Sequence, residues 1–316
     1  MKALVTGISG FAGSHLADYL LSQNVEVFGM VRSGSKLERL GNAIGRIRLV
    51  ECDLREEQAV HRVVKTLRPD LIFHLGAQSS VPVSWSSPID TLHNNIAGQI
   101  HLMDAVRLSG IDCKIQIAAS SEAYGSVQPR EVPLKETNPL RPLSPYAVSK
   151  ATQELLGYQY FKSYGLPIVV TRAFNHIGPR QSDNFVASSF ARQIARIEKG
   201  ESPPVLYVGN LEACRDFTDV RDVVRAYWLA LKEGEPGEIY NVASGECRPI
   251  RELLERLLSL AAVEIKVKQD PDRLRPADAA TLYGDYSKLE RKTGWRPEIP
   301  FSRTLEDLLE DWRKAQ

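Results

Sequence analysis

The chain predicts an α/β fold, a doubly wound parallel sheet followed by a smaller, interleaved second lobe, and three observations carry that expectation. Short β-rich apolar runs alternate with stretches of helical periodicity as far as Arg172. The first run ends in a glycine turn and leads directly into a helical pattern. Beyond Arg172 the alternation stops and Pro/Gly-rich loops take over. In order, the strand-like runs lie at 2–6, 25–31, 48–51, 71–74, 114–118 and 167–172, and the helical stretches between them at 14–22, 56–67, 96–109 and 146–164. In the second half, loops at Gly178-Pro179 and Ser202-Pro203-Pro204 flank a helix at 185–198. A helix at 220–231 and a strand at 238–242 return to the sheet, and helices at 251–260, 287–293 and 302–314 complete the lobe.

Composition excludes several classes of partner. With 316 residues, 43% hydrophobic and 25% charged, the chain reads as globular protein. Its 40 basic and 39 acidic residues leave a net charge of +1, too little to hold nucleic acid or a membrane surface, so an anionic ligand must be met by individual arginines or helix ends. Met1-Lys2 and a short apolar strand running into glycines do not make a secretory leader, and no stretch is apolar for long enough to span a bilayer, so a cytoplasmic protein is expected. Cys52, Cys113, Cys214 and Cys247 are far apart without CxxC spacing; they are expected as buried reduced thiols, with no metal site.

The glycine turn reads Gly7-Ile8-Ser9-Gly10-Phe11-Ala12-Gly13. Gly7 permits the tight turn, Gly10 a close approach of backbone to a pyrophosphate, and Gly13 close packing of helix on strand, while the helix start around Phe11 and Ala12 offers free N–H groups. This is a Rossmann-type dinucleotide site with GxxGxxG spacing. The second strand ends Val31-Arg32-Ser33 without a carboxylate. Arg32 there suits a 2′-phosphate, which points to NADP(H) in preference to NAD(H), although a solvated surface arginine would look the same. Asp53, with Leu54 after the third strand, suits the adenine amino group or, equally, a helix N-cap. Leu75 and Ala77, flanking Gly76 after the fourth strand, give a small-residue surface along which a cofactor could pass. On this basis residues 1–173 with 217–243 form the dinucleotide-binding unit, and 174–216 with 244–316 the substrate lobe.

Ser144-Pro145-Tyr146-Ala147-Val148-Ser149-Lys150 opens a helix and places Tyr146 and Lys150 on one face. A phenol with a pKa of ~10 is a poor proton donor or acceptor at neutrality, and a neighbouring ammonium is expected to lower it. The strand 114–118 delivers Ser120-Ser121-Glu122-Ala123-Tyr124-Gly125 at its carboxyl end, where open α/β sheets bind ligands. A serine there shares the substrate oxygen with Tyr146.

Together with the glycine turn, this constellation resembles the extended short-chain dehydrogenase/reductase family along essentially the whole chain. By its position relative to Tyr124-Gly125, the resemblance assigns the catalytic serine to Ser120. It matches Asn95 to the family's helix asparagine, with a mainly structural and relay role. It also implies a homodimer joined through helices around 96–108 and 146–164. Past Arg172, Ala173-Phe174-Asn175-His176-Ile177-Gly178-Pro179-Arg180 is similar to a loop of the nucleotide-sugar members in which an asparagine holds diphosphate or sugar. Ser121, Glu122, Asn175, Arg180, Arg192, Asn210, Arg215, Arg275 and Asp278 are the implied substrate residues, with Arg215 and Arg275 on the pyrophosphate.

The fullest similarity is to members that reduce the C4 ketone of a GDP-linked 6-deoxy-4-keto hexose with NAD(P)H, and next to those that dehydrate GDP-mannose. Glu122 is where the two diverge. In the dehydratases a glutamate at this position removes the C5 proton, whereas here it could equally orient Tyr124 or a substrate hydroxyl. Against dehydration, those enzymes carry threonine where this chain has Ser120. Another nucleotide-sugar epimerase or dehydratase, recycling tightly held cofactor without net redox change, belongs with the second reading, and a non-catalytic dinucleotide sensor on the same fold is a third. Retention of Ser120, Tyr146 and Lys150 together argues against it.

Overall fold

The computed structural model describes residues 1–273 and 281–315. In chain order the first half runs β1 (Lys2–Thr6), α1 (Phe11–Ser22), β2 (Glu26–Val31), β3 (Arg48–Glu51), α2 (Glu57–Leu67), β4 (Leu71–His74), α3 (Val81–Ser86), α4 (Pro88–Leu92), α5 (Gly98–Ser109), β5 (Lys114–Ser120), α6 (Pro145–Tyr164) and β6 (Ile168–Ala173). The second half runs β7 (Asn175–Ile177), α7 (Val186–Glu198), β8 (Val205–Val208), β9 (Cys214–Arg215), β10 (Phe217–Asp219), α8 (Val220–Glu233), β11 (Ile239–Val242), β12 (Arg248–Pro249), α9 (Ile250–Ser259), β13 (Lys266–Gln269), β14 (Thr281–Leu282), α10 (Ser287–Thr293) and α11 (Phe301–Lys314).

Seven strands form one sheet in the order β11-β6-β5-β4-β1-β2-β3, and every pairing in it is parallel. Sheets buried on both faces read as continuous apolar runs, as in β4 and β6, whose residues are all buried. One face packs on α1 and α8 through Leu16, Leu20, Val223, Val224 and Tyr227. The other packs on α2, α5 and α6 through Val60, Val64, Leu102, Val106 and Tyr160. The strand order reverses between β1 and β4, the chain running outward one way through β2 and β3 and the other way through β4, β5 and β6, and ligands bind in the crevice at such a switch point. The site-bearing helix α6 starts cleanly because the Ser144 hydroxyl accepts the Ala147 N–H and Pro145 occupies the first turn; it ends at Gly165, with φ +71°.

A second core lies in the later residues, where α7, α9 and α11 bury Ala187, Phe190, Leu253, Leu257, Leu305 and Leu308. Here the structure adds short strands that no local periodicity announces. β7 pairs with β10, β8 with β13, and β9 lies between β12 and β14. With two to four residues each, such strands are too short to show alternation. The helix expected from residue 96 begins at Gly98, after a single π turn at His93–Ala97 that contains the buried Asn95. Two cysteines also depart from expectation. Antiparallel pairing of β9 with β12 sets Pro249 opposite Cys214, and Cys214 is joined to Cys247 in a disulfide with Cα atoms 5.5 Å apart. Cys52 and Cys113 are the buried free thiols. No helix among the described residues is long and apolar enough to cross a membrane.

Candidate active site

The glycine turn follows β1 and is built without spare room. A Cβ on Gly13 would lie 2.2 Å from the Gly7 carbonyl oxygen, and one on Gly7, whose φ is +70°, would lie 2.9 Å from Gly76. The Gly10 N–H closes the turn on the Gly7 carbonyl at 3.0 Å, and that of Ser14 bonds the Gly10 carbonyl at 3.0 Å. No side chain caps α1 and no acidic residue stands in its first turn. The N–H groups of Phe11, Ala12 and Gly13 are therefore left for an anion at the positive end of the helix dipole, which fits a dinucleotide pyrophosphate.

The remaining cofactor candidates line the same strand ends. Arg32 is exposed; its backbone N–H donates to the Ser35 hydroxyl at 3.1 Å, and its guanidinium lies within electrostatic reach of Asp53. Asp53 neither caps α2, whose N-cap is Glu56, nor stands free. Its carboxylate is gripped by Arg55, 2.6 Å from Nη2, and that hydrogen bond holds it below the usual carboxylate range. Leu54 is buried, its carbonyl 2.8 Å from Nδ1 of His101 on α5. Leu75 and Ala77 are half-buried beside Gly76, whose N–H donates to the Thr6 hydroxyl at 2.9 Å.

At the carboxyl end of β5 the structure brings Ser120, Tyr146 and Lys150 together, all three buried. The Tyr146 phenol is hydrogen-bonded to Ser120, whose Oγ also accepts the Glu122 N–H at 3.2 Å. Lys150 Nζ lies 5.9 Å from the Tyr146 ring centroid and donates to the Ala118 carbonyl at 2.7 Å. The expected acidification of the phenol does not follow from the chain's own groups. Burial pushes Tyr146 up to about 12, with the nearby Glu122 carboxylate adding to the rise, while burial pulls Lys150 down to about 8. Desolvation penalises both charged forms and sets the direction of both shifts. The outcome is a protonated donor beside an amine that is still mostly ammonium at neutrality. Ser121 is buried behind Ser120, and Glu122 is half-buried.

Asn95 works as a clamp. Its Oδ1 accepts the Gln78 N–H at 2.7 Å, and its Nδ2 donates to the Gln78 carbonyl at 3.0 Å and to Ser149 Oγ at 2.9 Å. Its carbonyl accepts from Gln153 Nε2 at 2.9 Å.

The substrate candidates are less unified. Asn175 is half-buried in β7, and Arg215 lies in β9 with Nη1 donating to the Cys214 carbonyl at 2.9 Å. Arg180 is engaged within the protein. Its guanidinium pairs with Asp18 of α1 at 2.8 Å, its N–H donates to Asp311 of α11 at 2.7 Å, and its carbonyl accepts from Arg39 at 2.9 Å. Arg192 pairs with Asp183 and lies over the Trp312 ring at 5.8 Å. Asn210 is turned onto its own loop, its Oδ1 accepting the Glu212 N–H at 2.9 Å. Arg275 and Asp278 lie outside the described residues.

A profile of the GDP-mannose 4,6 dehydratase family matches residues 4–308. The chain belongs to that family. It is thereby an extended short-chain dehydrogenase/reductase. Among members, GDP-6-deoxy-D-mannose reductase of Pseudomonas aeruginosa is 37% identical over 311 residues, 98% of this chain and 97% of that protein. The structure of RMD from Pseudomonas aeruginosa complexed with NADPH superposes with a TM-score of 0.87 at 36% identity, covering 99% of this chain and 98% of the other. The Thermus thermophilus UDP-glucose 4-epimerase complex with NAD gives 0.88 at 34% identity and full coverage of both chains, 100% each.

Proposed function

We propose that this chain reduces the C4 ketone of GDP-4-dehydro-6-deoxy-D-mannose to GDP-D-rhamnose, taking hydride from NAD(P)H with NADPH preferred. The observation that carries the reading is the convergence of Ser120, Tyr146 and Lys150 at the end of β5, beside a glycine turn whose N–H groups suit a pyrophosphate. The 37% identical Pseudomonas aeruginosa reductase supports the substrate, and exposed Arg32, with no carboxylate at the end of β2, supports NADPH.

When bound, a reduced nicotinamide supplies the hydride. The chain's own residues handle the oxygen. Tyr146, held protonated by burial, gives its proton to the alkoxide forming at C4, and Ser120 donates a hydrogen bond to the same oxygen. Lys150, as an ammonium, favours the phenolate left behind. Asn175 and Arg215, with Arg275 and Asp278, hold the nucleotide sugar. On this reading the chain divides into a dinucleotide unit (1–173 with 217–243) that binds the hydride donor and a substrate lobe (174–216 with 244–316) that binds the acceptor. Supplying the 4-keto sugar with NADPH tests the reading: loss of NADPH absorbance with formation of GDP-rhamnose is expected, and inertness would sink it.

One observation favours a second activity. Glu122 is half-buried and acts electrostatically on Tyr146, where a base for C5 would stand. Conversion of GDP-mannose without added reductant would make the chain a 4,6-dehydratase.

A homodimer belongs to the same reading. Val148, Leu155 and Tyr158 on α6 and Leu108 on α5 are exposed apolar side chains, an arrangement that suits burial against a second copy. On the same reading we place the reaction in the cytoplasm.

A further inference from the structure

Helix α6 carries a third buried ionisable group one turn beyond Lys150. Glu154 follows it by four residues, on the same face, and is 2% exposed. A carboxylate at that depth is costly unless paired, and burial does push its pKa upward. Its partner is Arg172, a charge next to the carboxyl end of the buried strand β6. Arg172 Nε donates to both carboxylate oxygens at 2.8 and 2.9 Å, and Nη2 to Oε2 at 2.6 Å. Nη1 is spent on the Tyr124 hydroxyl at 3.0 Å and the Glu136 carbonyl at 3.1 Å. Tyr124 lies in the turn that also bears Glu122, directly after Ser120. Lys150 directs its ammonium to the Ala118 carbonyl, so Glu154 reaches it through space and not by contact.

We propose that Glu154, held ionised by Arg172, is a positioning residue that keeps Lys150 cationic, while Arg172 ties the pair to the turn bearing Glu122. The inference rests on the hydride-transfer reading, in which Lys150 acts as an ammonium. Several other groups stand around this site. Tyr146 shares the helix, and His74 faces it from β4 as a buried ring held neutral. Glu122 and Tyr124 stand on the turn after β5, Arg172 on β6, and Tyr227 on α8 lies within electrostatic reach of Tyr146. Glu154 is the carboxylate that opposes the effect of burial on Lys150. Removing that negative charge lowers the amine's pKa further, so the ammonium is lost at lower pH and the alkaline limb of activity moves down.

The test compares Glu154→Gln with the wild type in two pH profiles. One is kcat/KM with the 4-keto sugar and NADPH, and the other is NADPH affinity by fluorescence titration. Both alkaline limbs are expected to fall by about one pH unit or more, equivalent to about a tenfold change in the lysine's ionisation constant. Glu154→Asp keeps the charge and the wild-type limb. If Glu154→Gln folds poorly, the double variant Glu154→Gln/Arg172→Gln removes the stranded cation and is read in the same way. An unmoved limb in either folded neutral variant overturns the proposal, as does an equal shift in the Asp and Gln variants, which marks repacking and not charge. A wild type inert toward the keto sugar would instead refute the reductase reading, and the NADPH profile would still decide the role of Glu154.

Discussion

On the proposed reading the dinucleotide half and the substrate lobe each hold a diphosphate, and the candidate residues in the two are of different kinds. In the first, backbone does the work: three glycines within seven residues fold a turn onto itself and leave N–H groups of α1 facing outward. In the second, the candidates are long side chains on short strands and loops, and several are already engaged elsewhere, Arg180 with Asp18 and Arg192 with Asp183. A backbone site has few ways to be arranged. An arginine has a reach of several ångströms and takes whichever carboxylate the fold brings to it. The two halves should therefore respond differently to substitution.

The largest effect is expected at the proton donor. Tyr146→Phe removes the proton donor and should cut kcat by about 10²–10⁴-fold while NADPH still binds; stopped-flow turnover beside a binding titration separates the two, and full activity would end the mechanism. Within the lobe, Arg215→Ala should raise KM for the sugar nucleotide by about 10–100-fold, because a charge-assisted contact to phosphate is lost. Arg180→Ala should leave that KM alone, and equal effects from both would erase the distinction drawn here. Within the dinucleotide half, Arg32→Ala should raise KM for NADPH by about tenfold and leave NADH unaffected; parallel behaviour of the two cofactors would return Arg32 to the surface.

Stability should also divide by region. His74, buried under the dinucleotide half between Thr6 and Gln153, is held neutral by burial, its pKa lowered to about 3. Below about pH 6.5 the unfolded chain takes up a proton that the folded chain refuses, so stability present above that pH is lost progressively as pH falls toward 3. Thermal melts between pH 7 and 5 should show the decline, and a His74→Gln protein should show less of it. Smallest of all, Arg180→Ala should cost no more than about 1 kcal/mol, since its ion pair with Asp18 is partly exposed; a denaturant melt measures it.

Much of the fold was legible from residues alone. Each strand of the large sheet carries an apolar run, and α6 announces itself by Ser144, Pro145 and its twenty-residue length. The lobe's strands left no such trace, because two or four residues cannot show a period. The disulfide was equally hidden, since 33 residues separate Cys214 from Cys247 and only the pairing of β9 with β12 brings them side by side. Arg172 did leave a mark, as a charge inside a buried strand, but its partner Glu154 follows from how α6 packs on β6.

Residues alone determined the chemistry on offer: a glycine turn for phosphate, a tyrosine and lysine on one helical face, a serine at a strand end. Those features depend on local backbone geometry, which neighbours in the chain dictate. Tertiary structure alone decided the charge states and partners, raising the phenol to about 12, seating Lys150 on Ala118 and giving Arg180 to Asp18. Burial and ion pairing depend on what lies nearby in space, and distance along the chain does not encode it.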